Sequence, residues 1–371
     1  MNRFAGTIDL PHAWGAPPLR GRLRCVPEDF EVDEDLGFEP DGAGEHVLVR
    51  IEKRGANTEW AARALARFAS VAPGSVIYAG LKDRHALARQ TFSLHLPGRG
   101  DPDWSEFKAE GLRVLSASRH GRKLKRGALK GNRFRIVVRD VQGDRDAADR
   151  VIDEIARSGV PNYFGEQRFG RDADNIERAR LMFNRESPSQ VPARPCADFS
   201  KKLRVRRHER SILLSAARSQ LFNAVLAARI ERGDWNRPLQ GEVWMLGGSH
   251  SIFGPEPLNE ALVARHATGD IDLTGPMWGA GELRSAGPVA ELESAVAKAD
   301  ADLAGGLARA GLNQQRRALR LRPRELTARW VDEACLELRF YLQSGSYATV
   351  VTREICGTDE LESSPTSEDT K

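Results

Sequence analysis

The first part of the chain alternates apolar and polar residues, a pattern typical of half-buried strands. The alternation runs through residues 21–34 (GRLRCVPEDFEVDE) and 46–52 (HVLVRIE). The apolar spacing then becomes helical in NTEWAARALARFAS, where Asn57 or Thr58 can act as the N-cap. Two strands followed by an amphipathic helix are therefore predicted at the start of the chain.

A polar loop is predicted between the next two strands. Residues 75–79 (SVIYA) indicate a short buried strand, and residues 91–96 (TFSLHL) alternate again. The intervening segment GLKDRHALARQ, residues 80–90, is too polar for a strand. Loops held between strands often carry functional groups on a rigid frame. We therefore expect chemistry in this segment.

The rest of the chain contains two kinds of sequence, one rich in strands and one mixed. Further strands are predicted at 133–139 and 335–342, and helices at 145–158, 211–232, 290–311 (with a weak point at Gly305-Gly306) and 347–355. Strand-rich sequence thus begins and ends the chain, while the middle is loop-rich and mixed. This order indicates a sheet-based domain that contains an insertion.

Composition favours an ordinary globular protein. The 371 residues are 40% hydrophobic and 29% charged, and their number suggests two domains. We expect no membrane span and no secretion signal, because no apolar stretch approaches the required length. The four cysteines are far apart and form no CxxC, which favours a reducing, cytoplasmic compartment. Residues 357–371 carry five acids and one lysine, and we expect a disordered acidic tail.

The basic residues are clustered, although the formal net charge is only +4. Clusters occur at 119–126 (RHGRKLKR), 201–210 (KKLRVRRHER) and 316–324. Each could be merely a solvated face, but three together favour a phosphate-binding surface and hence a nucleic acid partner. Such contacts position a nucleic acid backbone without reading its sequence.

Several enzyme classes lack their usual signatures here. The sequence has no GxxxxGK[ST], no GxGxxG after a strand, no HExxH and no GxSxG. The eight histidines are scattered without metal-ligand spacing. The pattern therefore argues against a P-loop NTPase, a dinucleotide oxidoreductase and a zinc hydrolase.

Asp83 is the acid with the most chemical promise. It lies between Lys82 and Arg84 in the predicted loop, and these flanking cations favour its ionised form. One interpretation is a surface ion pair. The other is a carboxylate that serves as a nucleophile or base.

Several sequence blocks resemble the TruD family of tRNA pseudouridine synthases. The blocks are PEDFEVDEDLGFEPDGAGEHVLVRIEKRGANT, GLKDRHA, RHGRKLKRGALKGNRF, PNYFGEQRFGR, SAARSQLFNAVLA, LNQQRRALRLRP with RFYL, and SGSYATVVTRE. They occur in this order and span residues 18 to 356. A resemblance of this length implies a shared fold and activity.

The resemblance implies isomerisation of uridine to pseudouridine at position 13 of tRNA, in the D-arm region, without cofactor or metal. It implies an α+β fold, in which a catalytic domain with a mixed, largely antiparallel sheet and flanking helices contains an inserted α/β domain. We place the catalytic domain at 1–157 and 322–356, and the insertion at 158–321. The expected partner is tRNA, and a monomer is the default.

The resemblance also assigns site residues. Asp83 matches the catalytic aspartate of the G-x-K-D motif, and Arg24 matches the basic residue that pairs with it, where the family often has lysine. Four residues match those that surround the uracil: Phe30, Asn132, Phe134 and Tyr347. Six cations are candidate contacts to the RNA backbone: Lys82, Arg122, Lys123, Lys125, Arg126 and Arg168.

Two alternatives remain open on the sequence. The chain could be an RNA-binding or RNA-chaperone protein without chemistry of its own, in which case Asp83 would be dispensable. It could also be an enzyme of the same family that modifies another RNA.

Overall fold

The computed structural model describes residues 10–170, 173–185 and 207–358. Most of the predicted acidic tail and residues 201–206 of the second basic cluster lie outside the described residues. By its internal contacts the chain divides into two compact units, which we call the sheet unit and the second unit. The sheet unit comprises 17–156, 323–348 and the chain from Ile355 onward, and the second unit comprises 1–16, 157–322 and 349–354.

The strands of the described chain are as follows. They are β1 Leu19–Leu23, β2 Phe30–Asp35, β3 His46–Arg54, β4 Val76–Tyr78, β5 Leu87–His95, β6 Leu112–His120, β7 Gly131–Gly143, β8 Val160–Pro161, β9 Trp244–Leu246, β10 Ile252–Phe253, β11 Ile271–Met277, β12 Gln315–Ala318, β13 Arg320–Leu321, β14 Arg324–Asp332, β15 Cys335–Gln343 and β16 Cys356–Thr358. The helices are α1 Thr58–Phe68, α2 Arg145–Ser158, α3 Asp174–Arg185, α4 Arg207–Glu231, α5 Glu260–Thr268, α6 Gly287–Ala299, α7 Ala301–Arg309 and α8 Thr349–Ile355.

The sheet unit is built on one mixed sheet, with the strand order β14-β15-β7-β2-β5-β3-β6. Strand β1 pairs with β7 and β16, and β4 pairs with β5. The pairs β2–β5 and β1–β16 are parallel, and the other pairings in this sheet are antiparallel. The predicted α+β class with a mixed, largely antiparallel sheet is confirmed.

Helix α1 covers one face of this sheet. Asn57 caps it by accepting a hydrogen bond from the backbone N–H of Glu59. Its buried residues Ala61 and Leu65 share one apolar cluster with Val49 of β3 and Phe92 of β5. The apolar face of the helix and the inward-facing residues of the strands therefore form a single core.

The predicted strand at 21–34 is divided in the structure. Arg24 has a φ of 58°, in the left-handed region, and a 3-10 turn follows at Pro27–Asp29. A left-handed residue cannot continue a strand, so the chain leaves β1 and enters β2 in a new direction. Arg24 and Phe30 thus lie at the two ends of a short connection.

The predicted helix at 290–311 is also two helices, α6 and α7, and the break is not at the glycine pair. The break lies at Asp300, whose carboxylate accepts hydrogen bonds of 2.6 and 2.9 Å from Arg180. Gly306 is buried inside α7, and a Cβ there would lie 2.1 Å from the ring of Phe183. The glycine serves a close helix contact rather than a break.

The second unit has a four-stranded sheet in the order β10-β9-β11-β12 and a two-stranded sheet of β13 and β8, with α3 to α7 around them. Among the described residues, one helix, Arg207–Glu231, is long and apolar enough to cross a membrane, judged by its length and composition alone. Of its apolar window, 61% is buried inside the structure, as in core helices of the same composition. The functional division into catalytic domain and insertion stays a prediction.

Candidate active site

Asp83 lies in an irregular loop between β4 and β5. Strand β5 begins at Leu87, so the loop is shorter than the polar segment suggested. Asp83 Oδ1 accepts a hydrogen bond of 3.0 Å from the backbone N–H of His85, which closes a tight turn. The side chain is 20% exposed. The carboxylate is therefore fixed in orientation while part of it faces solvent.

Arg24 pairs with this carboxylate. Its Nη2 lies 3.2 Å from Asp83 Oδ2, and its guanidinium carbon lies 4.6 Å from the ring centroid of Phe30. The Nε of Arg24 is buried without a hydrogen-bond partner among the described residues. The side chain is therefore held by the carboxylate and by the aromatic face.

The turn that carries Arg24 and Phe30 is fixed by Asp29, a residue that sequence reasoning missed. The buried Asp29 carboxylate accepts hydrogen bonds from Arg139 Nε and Nη2 at 2.8 to 3.0 Å, and one of 3.1 Å from the backbone N–H of Val26. The Asp29 carboxylate raises the pKa of Arg139 above its ordinary value. The second acid of the PEDF motif thus shapes the connection between β1 and β2.

Phe30, Phe134 and Asn132 lie on one face of the sheet. Strands β2 and β7 are antiparallel, with Val32 opposite Phe134 and Glu34 opposite Asn132, and side chains alternate along each strand. The rings of Phe30 and Phe134 make an edge-to-face contact, with centroids 6.1 Å apart. Asp83, Arg24, Phe30 and Phe134 therefore form an unbroken series of contacts.

Asn132 Oδ1 is a buried acceptor without a hydrogen-bond partner among the described residues. It stands at the start of β7, directly after Gly131. Tyr347 follows the end of β15 in the SGSY turn, where the backbone N–H of Ser344 donates to the carbonyl of Lys130. This bond holds the turn beside the strand end that carries Asn132.

Lys82 does not face solvent, which argues against the predicted contact with an RNA phosphate. Its side chain is 6% exposed, and its Nζ lies 2.8 Å from Oε1 of the buried Glu34. Glu34 Oε2 also accepts a hydrogen bond from the backbone N–H of Thr91. The lysine of the G-x-K-D motif therefore ties the loop to β2, and a charged residue on the inner face of that strand is the signal that could have revealed it.

The four predicted cations of the 119–126 cluster are exposed on one loop, which we call the basic loop. They are Arg122, Lys123, Lys125 and Arg126. Leu124 is buried and anchors the loop, and the backbone N–H of Gly127 donates to the carbonyl of Ala79. A groove of about 620 Å³ lies between this loop, α1 and β4, and the Arg126 guanidinium lies 5.9 Å from the Tyr78 ring centroid. The basic loop thus adjoins the segment that leads to Asp83.

Arg168 belongs to the second unit. Its Nη1 donates a hydrogen bond of 2.9 Å to Ser215 Oγ, and its guanidinium lies 5.4 Å from the Phe164 ring centroid. Its contact with RNA stays a prediction.

Within the described residues, no group of three or more His, Cys, Asp or Glu side chains is placed to hold a metal ion.

Comparison with known proteins identifies the family of this chain. The family model for tRNA pseudouridine synthase D (TruD) matches residues 10–184 and 196–355. The chain belongs to the TruD family. It is therefore an enzyme, an isomerase of the pseudouridine synthase class.

Individual relatives agree over nearly the whole length. A tRNA pseudouridine synthase D from Xanthomonas campestris pv. campestris (strain B100) is 49% identical over 348 residues, covering 93% of this chain and 94% of the relative. One from Methylococcus capsulatus (strain Bath) is 45% identical over 350 residues, covering 94% and 95%. A crystal structure of the same description from Methanosarcina mazei has a TM-score of 0.65 at 25% identity, covering 96% of each chain.

Proposed function

We propose that this chain isomerises uridine to pseudouridine in tRNA, at position 13 in the D-arm region. The Asp83 carboxylate is the reacting group, and no cofactor takes part. The observation that carries the proposal is the contact of Arg24 with both Asp83 and Phe30, because it places a charged carboxylate beside an aromatic surface. Membership of the TruD family supports the reaction and tRNA as its substrate.

The chemistry needs only one reactive carboxylate. The bond between N1 of uracil and C1′ breaks, the base rotates, and a bond from C5 to C1′ forms while C5 loses its proton and N1 gains one. Asp83 either attacks C1′ as it gains positive charge or removes the 2′ proton to give a glycal. The second route uses the carbon that bears the 2′-hydroxyl of RNA, and both routes require the carboxylate in its charged form.

The aromatic side chains and Asn132 would receive the base. Phe30 and Phe134 are only 5% and 8% exposed, so they would form the floor of the base site rather than open stacking surfaces. Asn132 Oδ1, which has no hydrogen-bond partner in the described part of the chain, can accept a hydrogen bond from N3–H of uracil. Cytosine has an acceptor at this position, so the same contact would disfavour it.

The basic loop would hold the RNA backbone beside the site. A target base in folded tRNA must leave its stack, at a cost of a few kcal/mol. The exposed cations of Arg122, Lys123, Lys125 and Arg126 can offset this cost through phosphate contacts. Since one chain supplies every group named, the proposed enzyme works as a monomer.

Mapping of pseudouridine in total tRNA tests the proposal directly. A strain that lacks this chain should lose pseudouridine at position 13, and expression of the chain should restore it. Loss at another position only, or in another class of RNA, would contradict the assigned substrate. An unchanged map would instead favour an RNA-binding protein whose Asp83 is dispensable, a reading that family membership already disfavours.

A further inference from the structure

Three buried polar side chains converge on the backbone of the loop that carries Asp83. They come from three elements: Lys53 from β3, Thr58 from the start of α1, and Gln90 from β5. Lys53 and Gln90 are fully buried, and Thr58 is 1% exposed. Buried polar groups are normally hydrogen-bonded, so their partners indicate what they are for.

Their partners are the successive peptide groups of the loop. Lys53 Nζ donates to the carbonyl of Asp83 at 2.6 Å and to that of Lys82 at 3.3 Å. Thr58 Oγ1 accepts from the backbone N–H of Lys82 at 3.1 Å. Gln90 Nε2 donates to the carbonyl of Gly80 at 2.6 Å. The backbone on the N-terminal side of the carboxylate is thereby fixed at three residues.

Lys53 is unusual among these side chains because it carries a charge. In β3 the buried positions Val47, Val49 and Ile51 alternate, and Lys53 continues them on the same apolar face. Its third acceptor is the carbonyl of Ala56 at 2.9 Å. Within the described part of the chain it forms no ion pair with a carboxylate. Burying an ammonium on neutral acceptors is costly, and a neutral donor could hold a turn at lower cost.

We infer that Lys53 is a positioning residue for Asp83: its ammonium fixes the Asp83 peptide and adds a further positive charge, besides that of Arg24, to the surroundings of the carboxylate. The inference rests on the proposed role of Asp83. A charged donor serves both purposes at once, since the three carbonyls orient it and its charge attracts the carboxylate. This explains why a cation stands on the inner face of β3.

The electrostatics of the pocket make this support sensitive to pH. Burial lowers the pKa of Lys53 to about 8, while the Asp83 charge raises it and the Lys82 charge lowers it. The cross-strand neighbours of Lys53, Ala88 and Leu112, are neutral, as are Thr58 and Gln90, which bind the same loop. As pH rises through about 8, the ammonium becomes an amine with no charge, and the support for Asp83 weakens.

The test compares Lys53→Met with Thr58→Val in single-turnover release of tritium from tRNA labelled at uridine C5, between about pH 6.5 and 9.5. Lys53→Met should lower the rate at pH 7 by about 10- to 100-fold, with tRNA affinity within about twofold of wild type. It should also lose the fall in rate that we expect of wild type above about pH 8. Thr58→Val, which removes a loop contact but no charge, should keep that fall.

A wild-type rate for Lys53→Met, or a slower rate with an unchanged fall above pH 8, would overturn the inference. If circular dichroism shows that Lys53→Met is unfolded, Lys53→Gln takes its place. A wild-type profile that is flat from about pH 7 to 9.5 overturns it regardless of the variants. If Asp83→Asn is inactive and Lys53→Met is not impaired, this inference alone fails. If Asp83→Asn remains active, the proposed function fails first.

Discussion

Arg24 Nη2 lies 3.2 Å from Asp83 Oδ2, although the two residues belong to separate connections, one before β2 and the other before β5. Strands β2 and β5 are parallel, with Glu31 opposite Leu87, so the chain segments that precede them arrive at the same edge of the sheet. Parallel pairing at this point is therefore what brings the arginine to the carboxylate.

Asp83→Asn should abolish pseudouridine formation and leave tRNA binding intact. The amide keeps the shape of the side chain but can neither attack C1′ nor remove a proton, so we expect a loss of at least about 1000-fold in tritium release. Asp140→Asn is a matched control, because Asp140 is an exposed acid paired with Arg22. Substantial release by the Asp83 variant would remove it from the chemistry.

Arg24→Met should lower the single-turnover rate by about 100-fold, whereas Arg24→Lys should stay within about tenfold of wild type. Lysine keeps a charge for Asp83 but loses the planar group that covers Phe30. Methionine and lysine would both have to adopt the left-handed backbone of position 24, so comparison of the two variants isolates the charge. Equal rates for the two variants would show that the ion pair does not matter.

Replacement of Lys123, Lys125 and Arg126 by alanine should weaken tRNA binding and flatten its dependence on salt. Each phosphate contact that is lost should reduce the salt slope by about 1. Filter binding across a range of salt concentrations measures this slope. Lys108→Ala removes an exposed cation elsewhere in the sheet unit and serves as the control. A slope that the triple variant leaves unaltered would place the RNA away from the basic loop.

His266 should make the second unit sensitive to acid. Burial, aided by the charge of Arg320, lowers the pKa of this histidine to about 4. Below its ordinary value of about 6.5 the unfolded chain binds a proton that the folded chain does not. The contribution of the neutral histidine to the free energy of unfolding is therefore complete above about pH 6.5. It is lost as pH falls toward about 4.

Urea unfolding of wild type and His266→Gln at several pH values checks this expectation. Wild type should lose up to about 3 kcal/mol more than the variant between pH 6.5 and 4, since glutamine does not titrate. Comparing two proteins removes the contribution of the carboxylates they share. Parallel curves would mean that folding does not lower the pKa of this histidine.

Much of the sheet unit could be predicted from the sequence because its strands alternate and its helices have one apolar face. The loop around Asp83 was recognisable since a polar segment interrupts two strand patterns. The break at Arg24 was not predictable, because nothing in GRLRCVPEDF other than Pro27 marks a change of direction. The tertiary bonds of Asp29 and Arg139 decide it.

The contact between Arg24 and Asp83 was expected from the resemblance, whereas local sequence pattern indicated only the polar loop around Asp83. Asp83 and Arg24 meet as the motif match implied, but the burial of Lys82 depends on Glu34, which lies on another strand. Short motifs do not reveal such pairings, because a charge on the inner face of a strand has no partner until the sheet forms. Lys53 is a similar case, because its three carbonyl partners come together only when β3 and the Asp83 loop have folded.

The fixed backbone around Gly80, Lys82 and Asp83 has a consequence for the order of events. A loop tied to three elements of its own unit cannot swing out to meet a nucleotide. The nucleotide must therefore move to bring its sugar to the Asp83 carboxylate. The slow conformational change on binding then takes place in the RNA. Substrates whose target base is already loosely stacked should therefore react fastest with so rigid a loop.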